Sequence, residues 1–167
     1  MAMTTVERSA GSANPLDVLE QVVAGESWPF ERIGEDELNI AVSGRWCEYR
    51  LSFTWAGDLE ALLLACSLEM KVPRAKRREV HTLLALVNER MWLGHFDLWS
   101  EDGVVLFRHG LMLQGGIAPT TAQCEGLIKL GIEACERFYP AFQYLIWGGK
   151  APEDAMAAAL FDCAGEA

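Results

Sequence analysis

A chain of 167 residues, 51% hydrophobic and 23% charged, has the length of one domain and enough apolar material to fill a core. That composition excludes disorder over most of the chain, and 15 glycines and 6 prolines without a period exclude collagen-like and low-complexity classes. Fourteen Lys and Arg against 24 Asp and Glu leave a formal charge of −10, which repels phosphate backbones and anionic lipid, so neither nucleic acid nor a membrane surface is an expected partner.

Residues 1–13 are rich in Ser, Thr and Ala and hold no apolar run of the kind a signal peptide needs. They read as a flexible tail ahead of a single domain over 14–163. Asn14 and Pro15 supply a helix cap and a proline for the first helical position. Leu16, Leu19, Val22 and Val23 then recur at helical spacing until Gly25. Residues 28–33 suit a short edge strand, the kind that tolerates Pro29.

From Glu37 the period changes to two, with Leu38, Ile40 and Val42 alternating against Asn39, Ala41 and Ser43. After a turn at 43–45, residues 46–55 read as a strand. Cys47, Tyr49, Leu51, Phe53 and Trp55 share its apolar face, and Trp46, Glu48, Arg50, Ser52 and Thr54 share a wet one. Residues 59–72 fit a strand and a helical stripe alike; the short loop before them and the alternating ending favour the strand.

Pro73 opens a long helix whose stripe is Val80, Leu83, Leu84, Val87 and Met91, with Gly94 as its stop. A hairpin follows, 95–99 and 104–113 around a turn at 101–103. Thr120 and Gln123 fit a capping box for a helix running to Phe138. Pro140 then starts a second, shorter helix that ends at Gly148-Gly149, and Pro152 opens an alanine-rich last one. The order of elements means α+β with an antiparallel β-sheet flanked by helices.

Motifs of catalysis are missing. At Gly149-Lys150 a phosphate loop would need glycine where Tyr144 stands and Ser or Thr where Ala151 stands. No dinucleotide fingerprint and no H-E-x-x-H occur, and residues 25–29 lack the last glycine of a nucleophile elbow. His81, His95 and His109 are scattered without zinc spacing. Five widely spaced cysteines (47, 66, 124, 135 and 163) suit small buried hydrophobes in a reducing cytoplasm better than a disulfide framework. No stretch nears the ~20 apolar residues of a membrane span. No catalytic residue, metal or cofactor is expected.

Two features point instead to recognition. Trp46 shares the wet strand face with Arg50, which suits an interface anchor and equally suits cover by a neighbouring helix. Trp55, Trp92 and Trp99 fall on or beside apolar faces and are expected in the core. Arg74, Lys76, Arg77 and Arg78 sit with Lys71 within eight positions, at a helix start where the macrodipole disfavours cations. They form either a solvated face paired with the protein's own carboxylates or a dock for an acidic partner segment.

The stretch Glu79-Val80, Leu83-Leu84, Val87-Asn88-Glu89-Arg90, Leu93-Gly94-His95-Phe96, then Gly103-Val104-Val105, Arg108 and Leu111, resembles the YbjN family of bacterial proteins. The strand at 46–55, the junction at 68–73, Tyr139-Pro140 and Gly148-Gly149 are similar to it as well. The likeness covers about residues 15–160 and rests on core and turn residues. It implies a fold like that of type III secretion chaperones, commonly dimeric, with a sensory-transduction label and roles in stress response and motility. It also implies a strand at 59–72 and brings no catalytic residues. Physical reasoning adds that Asn88 bonds the backbone of the following hairpin, Gly94 stands where no side chain fits, and Arg108 pairs with Asp97.

The expected function is a non-enzymatic, cytoplasmic, chaperone-like homodimer that holds a segment of a partner protein. Trp46, Arg50, Arg74, Lys76, Arg77 and Arg78 are its candidate contacts. The alternative is a ligand-sensing domain with an apolar pocket between sheet and helices.

Overall fold

Asn14 Oδ1 accepts the Leu16 N–H at 3.0 Å and Pro15 takes the first position, so α1 (Pro15–Gly25) begins where the cap signal places it. The structure, a computed structural model, describes residues 14–164; the tail expected at 1–13 lies outside them. Six strands follow the alternating runs: β1 (Phe30–Ile33), β2 (Glu37–Ser43), β3 (Glu48–Ala56), β4 (Ala61–Lys71), β5 (His95–Trp99) and β6 (Val104–Met112). They form one antiparallel sheet in the order β1-β2-β3-β4-β6-β5. The ambiguous run at 59–72 is thus strand β4, with Leu62, Leu64, Cys66, Leu68 and Met70 buried on one side.

The helices α2 (Arg77–Asn88), α3 (Thr121–Ile146) and α4 (Pro152–Ala164) complete the set. α1 packs on β2 and β3, α3 on β3, β4 and β6, and α2 on β5, while α4 lies against α2 and α3. The helices touch one another and share one side of the sheet, as α+β segregation requires. Beneath them Leu38, Ile40, Tyr49, Leu51, Phe53 and Phe107 are buried. On the opposite side Arg50, Thr54 and Arg108 face away from the helix layer and are exposed.

Three expectations need correction. The helix expected from Pro73 to Gly94 is a 3-10 turn at Arg74–Lys76 followed by α2, which stops at Asn88. Asn88, the last residue of α2, clamps the edge strand with its side chain. Its Nδ2 donates to the Phe96 carbonyl at 3.0 Å, and its Oδ1 accepts the Phe96 N–H at 2.8 Å. Asp97 Oδ1 takes the Leu98 N–H at 2.9 Å, so much of the outer edge of β5 is already satisfied by side chains. Arg108 Nη1 meets Asp97 Oδ2 across the hairpin at 3.3 Å, as expected.

The two helices expected around Pro140 are one, α3, entered through the Thr120/Gln123 capping box and running unbroken through the proline. The core surroundings of Phe138, Tyr139, Ala141 and Phe142, all buried, outweigh the lost hydrogen bond. Two tryptophans assigned to the core are outside it: Trp92 is 99% exposed and Trp99 52%. Trp92 falls past the end of α2. Trp99 shares its strand parity with exposed His95, opposite buried Phe96 and Leu98.

Candidate functional site

The strand expected from residue 46 begins at Glu48, because Gly44 N–H closes a turn on the Cys47 carbonyl at 2.9 Å. Trp46 therefore does not share the wet strand face with Arg50. Its ring lies parallel to Tyr139 of α3, with centroids 6.2 Å apart, and its Nε1–H donates to the Glu136 carbonyl at 3.1 Å. That carbonyl is the one Pro140, four residues on and lacking an N–H, leaves without its helical donor. The Arg45 N–H bonds Glu136 Oε1, and the Arg45 guanidinium covers the indole at 4.6 Å. Of the two readings of Trp46, cover by a helix is what the geometry places there.

The remaining candidates divide by what already holds them. Arg50 stays on the open sheet side with Nε 2.7 Å from Glu69 Oε1. Lys76 Nζ is bound to Glu79 Oε2 at 2.9 Å, one helical turn away. Arg77 donates through Nη1 to the Ser100 carbonyl and so ties the start of α2 to the β5–β6 turn. Its Nε is buried without a hydrogen-bond partner among the described residues. Arg74 and Arg78 are exposed and belong to no ion pair among the described residues. Lys71 is exposed beside them, in a cross-strand row with Val104 and Trp99. Among the described residues the candidate site thus reduces to three exposed cations without ion-pair partners, one of them in a cross-strand row with the half-exposed indole of Trp99. Trp99 was legible as its fourth member from the strand parity alone.

The thiols of Cys47, Cys124 and Cys135 are held protonated chiefly by their surroundings. Among the described residues no group of three or more His, Cys, Asp or Glu is placed to hold a metal ion. Cys66 and Cys135 are buried with Sγ atoms 3.4 Å apart, and the shared hydrogen bond together with burial holds the Cys135 thiol well above its usual range. Burial also pushes Cys124 up to about 11, with the charge of Glu125 adding to it, and pushes Cys47 up to about 11 with Glu69 adding. The neutral thiol is the working form of each.

A thiol that ionises near 9 when unfolded and near 11 when native leaves stability intact below pH 9 and lowers it as pH rises toward 11. The unfolding midpoint is therefore expected to decline through that window, and Cys124→Ala to decline less steeply. Identical pH profiles for the two proteins would remove this thiol from the cause.

A family model, YbjN, described as "Putative bacterial sensory transduction regulator", matches residues 15–144. The chain belongs to the YbjN family. The matched span includes the whole sheet, α1, α2 and nearly all of α3, so the basic cluster and Trp46 fall inside it and α4 outside. Among solved structures, the crystal structure of YbjN, a putative transcription regulator from E. coli, is similar at a TM-score of 0.54 and 12% identity. That likeness covers 72% of this chain and 85% of the other, and shows a shared fold. A chain of the ExsC-ExsE complex is similar at a TM-score of 0.48 and 12% identity, over 78% of this chain and 91% of that one. No curated protein matches. No helix among the described residues is long and apolar enough to cross a membrane.

Proposed function

We propose that this YbjN-family chain is a non-enzymatic regulatory module of the bacterial cytoplasm, folded as one domain over 14–163. It works as a chaperone-like homodimer that holds an acidic segment of a partner protein. The observation that carries this reading is the pair Arg74 and Arg78, exposed and without ion-pair partners among the described residues, on a chain whose net charge is −10. With so many carboxylates available, cations left unpaired together mark a surface suited to negative charge from elsewhere. Lys71 extends the patch, and Trp99 offers the aromatic anchor that a charged rim alone lacks. Lys76 and Arg50 contribute less, since their charges are paired within the chain, and Arg77 less because its half-buried guanidinium is tied to the Ser100 carbonyl.

The test compares wild type with Arg74→Glu/Arg78→Glu, both sites being exposed, after sedimentation has fixed the mass and melting has confirmed the fold of each. A partner captured from bacterial extract is purified and titrated back against both proteins. Affinity is expected to fall at least about tenfold in the variant, since two contacts reverse sign. Equal affinity would place the binding elsewhere, and a wild-type mass of one chain would remove the homodimer.

A further inference from the structure

Between α1 and α3 the helix layer leaves an open groove of about 430 Å³. Its floor is apolar: Val22 from α1, Trp28 from the chain just beyond, and Ile128 and Ile132 from α3 at helical spacing. Ser27, at φ +58, turns the chain after α1 so that Trp28 packs back against the core. The rim is acidic. Glu26 stands on one side and Glu125 and Glu133 on the other, with Lys129 as the single cation. Lys129 Nζ lies 3.6 Å from Glu133 Oε1, whereas Glu26 and Glu125 have no ion-pair partner among the described residues. The sequence suggested an apolar pocket between sheet and helices as an alternative; this groove lies between two helices and carries a net negative rim.

We infer that this groove binds an apolar ammonium compound, its aryl or alkyl body on the Trp28–Ile128–Ile132 floor and its cationic nitrogen toward Glu26 and Glu125. The volume falls in the range of small-molecule sites. The chemistry selects the sign of the ligand. Two carboxylates without ion-pair partners among the described residues attract a cation, and an anion of the same shape meets repulsion from both. A neutral ligand gains only the floor. This inference goes beyond the partner-binding reading and shares no residue with the surface at Arg74 and Arg78.

The probe is benzyltrimethylammonium, with benzyl alcohol and benzenesulfonate as neutral and anionic counterparts. Binding is followed by the Trp28 indole N–H signal in two-dimensional NMR, identified through its loss in Trp28→Phe, at a fixed ionic strength. The ammonium is expected to shift that signal saturably and the sulfonate to leave it in place. Glu26→Lys/Glu125→Lys is expected to weaken the ammonium about tenfold or more, as reversing two facing carboxylates would, and to admit the sulfonate. Glu101→Lys/Asp102→Lys makes the same change in net charge at an exposed turn and is expected to leave binding intact. Equal weakening in the two double variants would reduce the effect to the overall charge and overturn the site. So would a wild type whose Trp28 signal moves with the sulfonate, or does not move with the ammonium.

Discussion

Gly94→Ala is expected to lower stability by about 3 kcal/mol or more, the sum of a backbone and a packing cost. Gly94 has φ +71, the left-handed region that costs an L-residue roughly 1–2 kcal/mol. A Cβ there would stand 2.2 Å from Phe107 Cζ, 2.5 Å from its Cε2 and 2.8 Å from the Arg108 carbonyl oxygen. The carbonyl belongs to β6 and cannot move without its strand. The Phe107 ring is fully buried and packs edge-on against Phe96 with centroids 5.5 Å apart, and Phe96 in turn meets Phe138 and Phe142 of α3. Relief by ring rotation would therefore pass into the joint between hairpin and helix layer. Urea unfolding measures the cost as a lower midpoint at unchanged slope. Gly34→Ala is the control, because Gly34 has φ +60 and nothing within 4 Å of its added Cβ. It should carry only the backbone share. Equal losses at the two positions would show that the Phe107 contact is relieved at no cost.

The same corner shows what a sequence can and cannot display. Leu38, Ile40 and Val42, or Tyr49, Leu51 and Phe53, announce a half-buried sheet because burial there obeys a period of two; β2 falls where the alternation puts it and β3 begins two residues later than expected. Asn88 was also legible, since it does a local job at a helix end, whereas Gly94 was read as the stop of a helix that ends at Asn88 and in fact makes room for Phe107. Pro140 misled because local propensity opposes a proline inside a helix, whereas the buried residues around it favour continuity. Trp92 misled in a similar way: the apolar stripe of α2 points through it, but the helix has already ended.

The candidate surface was half legible. A run of cations is visible in the chain, yet which of them is free depends on partners set by the fold. Arg77 is held by Ser100, 23 residues away, and Arg50 by Glu69 across the β3–β4 pair. What remains free at Arg74 and Arg78 appears only after those partners are assigned. The α1–α3 groove was invisible for the same reason. Val22 reads as an ordinary stripe residue of the first helix, and only the packing of the two helices makes it one floor with Ile132 beneath acids of both.

Trp46→Ala is expected to cost about 3 kcal/mol, the low end for removing a buried aromatic because the indole is only half-buried. The cost has two parts that can be separated. Trp46→Phe keeps an aromatic ring against Tyr139 but removes the N–H that serves the Glu136 carbonyl, and should cost about 1 kcal/mol. Pro140 creates that need, since a proline at this position cannot supply the helical donor. Pro140→Ala restores an N–H four residues beyond Glu136. In that background the penalty of Trp46→Phe should shrink toward zero, so the four proteins of the cycle report a coupling of about 1 kcal/mol between side chains that sit on different elements. Additive losses would mean that the indole acts through packing alone. The cycle also bears on recognition. If Trp46 serves the helix, partner affinity in Trp46→Phe should match wild type while affinity in Arg74→Glu/Arg78→Glu does not, and a folded Trp46→Phe that loses its partner would return the indole to the binding surface.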